Sequence, residues 1–423
     1  MKILILNQDW FAEELRSFGH DIITCGMGAQ CEHRLVHPCH HIRDIISSLP
    51  RSFKPDAIIW HDDSAPVFYL GLQEIDIPVI FYSVDTHHHW ELHSRLASSF
   101  DHILVAQKDY LHLFAPSGTP TTWMPLWAPR IVEPSIEKTM PLAFVGTMDV
   151  RLNKKRVEFF NALKDLVPIS IQQGNYWEVF PYSQIVINQT VSKDLNFRVF
   201  ESMMCGALCL TEHTNNGLLE LFKDGVHLTT YPAGDACAAA DAARDLLANS
   251  SKLQSIAEAG RSEVVAHHTA SARASKLHDI LKTISKIPRR SSRHLGMLVN
   301  HSVAGEMLQR RNPTLCLLPL QAAIDCAIAS IRDGYNPSNF EAAHIIRTYL
   351  TWDRLTGESL GAKLLVKHAE ALPTNYILAL ARIRTLSKLG EQVEAERVAA
   401  TISPDAVPQI FSVAEHAIKM ILQ

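Results

Sequence analysis

Residues 196–225, NFRVFESMMCGALCLTEHTNNGLLELFKDG, place a cation, Arg198, and a carboxylate, Glu201, on one predicted helix ahead of Gly206, a buried strand and the loop Asn215-Asn216-Gly217. Helix N-termini offer free N–H groups to phosphate, so the loop before Leu218 is a candidate anion cradle. Glu201 suits sugar hydroxyls such as those of ribose; the competing reading is that Arg198 and Glu201, three apart on one face, pair with each other. A second stretch, FVGTMDVRLNKKR (144–156), runs a strand into Gly146 and then Arg151, Lys154, Lys155 and Arg156. Glycine lets a backbone approach diphosphate closely, and the cations neutralise charge on a leaving diphosphate. For any one of these four a solvated helix start is the better reading; the group together favours function.

A third stretch, FYSVDTHHHWELHSRL (81–96), collects Asp85, His87, His88, His89, Trp90 and His93 beyond a predicted strand. Imidazole titrates near neutrality and a buried Asp can be raised toward it, so a general base belongs here. His89 and His93 have the spacing to share a metal, but no clear third ligand accompanies them. Asp62 and Asp63, after AIIWH, are second in line to meet hydroxyls. Cys25, Cys31, His33, His37, Cys39, His40 and His41 fall within 17 residues but lack a C-x2-C clamp, so ordinary thiols and surface imidazoles are the preferred reading. No metal ligand is assigned.

These residues need strands to end where they stand. Apolar runs at 3–6, 21–24, 57–60, 79–82 and 103–106, with a helix at 12–18 closed by Gly19, predict a doubly wound parallel sheet. Prolines 116, 120, 125, 129, 134 and 141 mark a linker. The pattern restarts with strands at 142–145, 169–172, 185–188 and 207–211 and helices at 156–166 and 197–204. After the basic, Ser-rich PRRSSRH the strands stop. Gly357 and Gly390, and Ala362 and Ala395, stand 33 apart, a period of helix-turn-helix repeats of tetratricopeptide type, although a plain helical bundle would also be Ala-rich. Three domains are expected: 1–126 and 127–287, both Rossmann-like, and 288–423, all-helical.

A chain of 423 residues with 47% hydrophobic and 20% charged residues is globular and too long for one small module. Forty Lys and Arg against 44 Asp and Glu leave a net charge of −4, no global reason to expect nucleic acid. The N-terminal apolar run is too short for a signal peptide, no run reaches a membrane span, and eight Cys are ordinary for buried thiols. A cytoplasmic protein with no transmembrane segment is expected.

The order Asn196, Arg198, Phe200, Glu201, then Gly206, Ala207, Leu208, Leu210 and Thr211, resembles the nucleotide-sugar half-site of group 1 glycosyltransferases, and more closely their CgeB-like (spore maturation protein) branch. His268, Thr269 and Arg273 are similar to the HTxxxR ending of these domains, and the likeness covers roughly residues 1–285. It implies the GT-B fold, with acceptor in the first domain and the nucleotide diphosphate sugar, a substrate rather than a cofactor, in the second. It also implies a ribose contact for Glu201, diphosphate contacts near Gly146, and a place near the transferred sugar for Asp85 and His87. The family's E-x7-E puts its first Glu on Lys193 here, so the sugar contact does not carry over. Without an Asp-x-Asp metal motif, the implied reaction is metal-independent hexosyl transfer to a hydroxyl, and group 1 enzymes suggest retention. Two other readings stand open: a GT-B epimerase of the nucleotide sugar, and a non-catalytic nucleotide-sugar sensor. Residues 289–423 are expected to recruit a protein acceptor, with a lipid-linked glycan second, against a purely stabilising or dimerising role.

Overall fold

The structure is a computed structural model that describes residues 1–62, 64, 68–288 and 292–402. Short runs of Ile, Leu and Val have no polar face to turn to water, so they pair in parallel with both faces covered. In the first region the strands are β1 (Lys2–Leu6), β2 (Asp21–Gly26), β3 (His33–Arg34), β4 (Cys39–His41), β5 (Ala57–His61), β6 (Phe68–Leu70), β7 (Val79–Ser83), β8 (His102–Val105) and β9 (Thr121–Trp123), with such runs in β1, β5, β7 and β8. Seven make one sheet in the order β3-β2-β1-β5-β7-β8-β9, while β4 and β6 pair separately. Helices α1 (Ala12–Ser17), α2 (Ile42–Ser48), α3 (Thr86–Leu96) and α4 (Leu111–Phe114) connect them. The chain reverses after α1 at Gly19, whose φ of 83° suits a residue without Cβ.

The second sheet contains β10 (Met140–Val145), β11 (Ser170–Gln172), β12 (Ser183–Asn188), β13 (Leu208–Glu212) and β14 (Thr229–Tyr231), ordered β11-β10-β12-β13-β14. All its pairings are parallel. Around it lie α5 (Lys154–Leu166), α6 (Phe197–Met204), α7 (Leu218–Leu221), α8 (Ala236–Ala248), α9 (Ser250–His267) and α10 (Ala270–Thr283). The expected linker contains the edge strand β9, and the crossing to the second sheet follows it. There Arg273 fastens the crossing to the return: Nε donates to Pro125 O at 2.7 Å, Nη2 to Leu126 O at 2.9 Å and Nη1 to His267 O at 3.0 Å. Thr269 caps α10, accepting from Ala272 N at 3.3 Å. The HTxxxR residues thus hold a hinge. Beyond it α10 packs back on the first domain, with His278 stacked on Phe18 at 4.5 Å.

The remaining helices are α11 (Ser292–Gln309), α12 (Leu317–Arg332), α13 (Asn339–Thr356), α14 (Leu360–Ala371), α15 (Tyr376–Lys388) and α16 (Gln392–Ala399). Gly357 and Gly390, at φ 73° and 84°, end the first helix of successive hairpins, α13–α14 and α15–α16, which accounts for the 33-residue spacing. The layers read from the sequence, two Rossmann-like parallel-sheet domains followed by an all-helical region, are the ones observed.

The helical region packs directly against the first domain. Trp60, Phe81 and Phe100 under the first sheet share one apolar cluster with Met297, Leu298, Ile324, Ile345 and Tyr349. Asp101, fully buried, accepts from Arg293 Nη2 at 2.7 Å, Lys286 Nζ at 3.0 Å, Ile287 N at 2.9 Å and Val79 N at 2.9 Å. A buried carboxylate is costly unless it is paired and hydrogen-bonded in this way. The knot ties the first sheet, the connector and α11 together.

Candidate active site

Strand β10 ends at Gly146, and two guanidiniums close over it. Arg198, from the first turn of α6, donates from Nε to Val145 O at 3.1 Å and from Nη1 to Asn188 Oδ1 at 2.7 Å, with its Cζ 4.4 Å from the centroid of the Phe144 ring. Arg156, from the first turn of α5, donates to Gln189 Oε1 at 3.0 Å and lies 5.6 Å from the same ring. Arg156 is buried and Arg198 half-buried, and among the described residues neither has a carboxylate in ion-pair contact. Burial first, then Arg156, brings Arg198 down to about 10, which leaves it charged at neutral pH. Lys154, Lys155 and Arg156 also crowd the positive end of α5, an arrangement that an anion would relieve. A Cβ on residue 146 would meet Arg198 Nη2 at 2.7 Å and Phe144 Cζ at 2.8 Å.

Glu201 lies one turn on from Arg198. The pair reading fails, since no ion pair forms between them; burial instead raises the Glu201 carboxyl to about 7 although Arg198 opposes it. Its neighbour Tyr176, just after β11, has a buried hydroxyl without a partner, as does the Oδ1 of Asn196 that begins α6.

The other predicted donor residues divide. The basic run does not act as one cluster: Arg151 is exposed and turned onto Asp149 at 2.6 Å, Lys154 reaches Glu158 at 3.6 Å, and Lys155 lines a cavity of ≈ 700 Å³ with Lys193 and Glu212. Asn216 spends its side chain between domains, bonding Gln107 and accepting from Asp109 N at 3.0 Å. Gly217, at φ 80°, is pressed against the Trp123 ring. Leu218 is buried and starts a helix of one turn, so the expected cradle is reduced to backbone N–H groups.

From the first domain, Asp85 and His87 stand at the end of β7 as expected. Asp85 N donates to Asp62 Oδ2 at 3.0 Å, and Ser64 Oγ donates to the Asp85 carboxylate. Asp63 lies outside the described residues. His87 has a buried Nδ1 without a partner; burial lowers it, Asp194 and Asp85 pull it up, and His88 and His89 push it down. Its imidazole is therefore largely neutral at pH 7. His93 is a packing residue, hydrogen-bonded to Ser83 at 2.8 Å. The Cys25–His41 segment spreads over β2, β3 and β4, and burial raises the Cys25 and Cys39 thiols to about 12.

Sequence reading missed Asp194. It is buried, accepts from Val191 N at 2.8 Å, and acts electrostatically on His87, Arg156 and Arg198 at once, which brings the two domains' chemistry to one place. The available signal was its position next to Lys193, where the family's first Glu would fall. Gln107 was missed too; it clasps Leu195 from across the cleft, accepting at 2.9 Å and donating at 3.3 Å.

Residues 142–279, the second sheet with its helices, match the family described as glycosyl transferase-like. No curated protein matches the chain. Among solved structures, it is similar to sucrose-phosphate synthase from Thermosynechococcus elongatus, with 11% identity, 67% of this chain and 98% of that one covered, and a TM-score of 0.49. It is also similar to Anabaena Alr3699/HepE, solved in complex with UDP and glucose, with 12% identity, coverage of 67% and 100%, and a TM-score of 0.49. A glycosyltransferase from Rickettsia africae is 12% identical, with coverage of 66% and 97% and a TM-score of 0.45. No helix among the described residues is long and apolar enough to cross a membrane.

Proposed function

We propose that this protein is a glycosyltransferase that moves a sugar from a nucleotide diphosphate sugar to a hydroxyl. The observation that carries the reading is the pair of guanidiniums beside Gly146, Arg156 buried and Arg198 half-buried, neither with a carboxylate in ion-pair contact among the described residues. The family match over residues 142–279 supports it. Arg156 and Arg198 hold the diphosphate, and Glu201 accepts from the ribose hydroxyls. The bond from the anomeric carbon to the diphosphate oxygen breaks with its electron pair going to the nucleotide. The acceptor oxygen bonds to the anomeric carbon on the same face that the diphosphate leaves, and its proton passes to His87, with Asp85 beside it. Positive charge fixed in a water-poor site favours that departure without a metal. Retention, and membership in the CgeB-like branch, are part of the proposal on the strength of the motif at residues 196–211. The acceptor hydroxyl belongs to a protein or a surface glycan.

A panel of nucleotide diphosphate sugars, followed by calorimetry and product analysis, tests this. Transfer to an acceptor with release of nucleoside diphosphate is expected. Interconversion of the donor sugar without acceptor would make the protein an epimerase, and binding without turnover would make it a sensor.

A further inference from the structure

Beside Asp62 a small cavity of ≈ 150 Å³ has walls from two regions of the chain. The first domain supplies Trp60, Asp62 and Phe81; α11 of the helical region supplies Asn300, Val303 and Met307. Two buried donors among these have no partner among the described residues: Trp60 Nε1, on a side chain 6% exposed, and Asn300 Nδ2, on one 2% exposed. Orphaned buried donors are costly, and when two line the same cavity an acceptor from outside is the economical explanation. Asp62 adds a carboxylate, Asn7, Ser64, His89 and His93 add further polar groups, and Trp60, Phe81, Leu92 and Val303 give an apolar face. N–H donors, a carboxylate and an apolar face together suit a hydroxylated ring, which presents oxygens on its rim and C–H groups on its face. The volume admits roughly one ring rather than a chain of them. Asp62 and Ser64, which line the cavity, both bond Asp85.

We infer that the acceptor is a saccharide, and that its terminal ring is held in this pocket between the first sheet and α11. The inference rests on the sugar-transfer reading and narrows its acceptor. It gives the helical region a role in recognising the acceptor, as one wall of the pocket.

The test uses the full chain and saturation-transfer NMR with the methyl glycosides of glucose, galactose and N-acetylglucosamine, with a serine-containing peptide for comparison. At least one glycoside is expected to bind, and to bind at least tenfold more weakly to Asn300→Leu. That substitution keeps the shape and removes an unpaired donor, so the melting temperature should not fall; a purely structural Asn300 would make it fall. Met307→Trp fills the pocket from a position 42% exposed, where the fold tolerates change, and is expected to weaken the same glycoside as much. Binding of the peptide alone, or glycoside binding that neither variant weakens, overturns the inference. Binding of UDP, GDP and ADP is measured on the same wild-type sample. Glycoside binding without nucleotide binding would uphold the saccharide pocket and reject the transfer reading; nucleotide binding without glycoside binding would do the reverse.

Discussion

Arg198 and Glu201 share a helix turn but face different demands. Removing Arg198 takes away a charged donor, so Arg198→Ala should weaken nucleoside diphosphate by about 1.5–3 kcal/mol and the parent nucleoside far less. Calorimetry with both ligands checks this, and equal losses would remove Arg198 from the diphosphate site. For Glu201 the folded value near 7 lies above its ordinary one, so the folded protein holds a proton that the unfolded chain releases. Its contribution to stability is present at low pH and is lost as pH rises toward and through 7. Glu201→Gln should therefore raise the melting temperature more at pH 8 than at pH 5. The ionised carboxylate is the better acceptor for ribose, so nucleotide affinity in the wild type should rise from pH 6 to pH 8, and the glutamine variant should lose that rise. His87 is lowered from its usual range, which puts the acid limb of turnover below pH 6.5. His87→Ala should depress turnover by about 10²–10⁴ while donor affinity changes little, the pattern of an interaction made mainly in the transition state.

Strand ends position the site, and the strands were legible. The buried apolar runs at 3–6, 79–82, 142–145 and 185–188 fall within β1, β7, β10 and β12, because sheets covered on both faces leave a continuous hydrophobic signature. β3, β4, β6 and β9 were not, since two or three residues carry no period and β9 sits among prolines. The motif residues at Gly146, Arg198 and Glu201 could be read because helix and strand signals bracket them. Asn216 and Gly217 could not be placed, because a loop's side chains are decided by the domain opposite it, and here that domain offers Gln107 and Trp123. Gly146 makes the strand-end argument testable. Gly146→Ala must push aside Arg198 or Phe144, so diphosphate affinity should fall about tenfold or more while the sheet, whose residue 146 needs no positive φ, stays folded. Circular dichroism together with calorimetry separates the two.

At the scale of the molecule, the union of the first sheet with α11 was hidden, since an amphipathic helix announces that it is covered but not by what. Its centre is Asp101. Replacing Arg293 with Met strands a buried carboxylate, an error that costs about 3–5 kcal/mol, although Lys286 will soften it. Thermal melting and limited proteolysis should show the helical region released first. A chain cut after residue 288 should expose the apolar cluster around Trp60 and Phe81 and aggregate, whereas survival as a soluble monomer would mark the helices as dispensable to the fold. Asp101 and Arg293 are 192 residues apart. A ribosome adding about 5–20 residues per second brings the second to the first only after roughly 10–40 s. During that interval the nascent first domain has an uncovered flank and an unsatisfied carboxylate, so a cell making this protein must shelter the half-built chain, and slowing translation beyond residue 288 should cost yield even though every catalytic residue has already been synthesised.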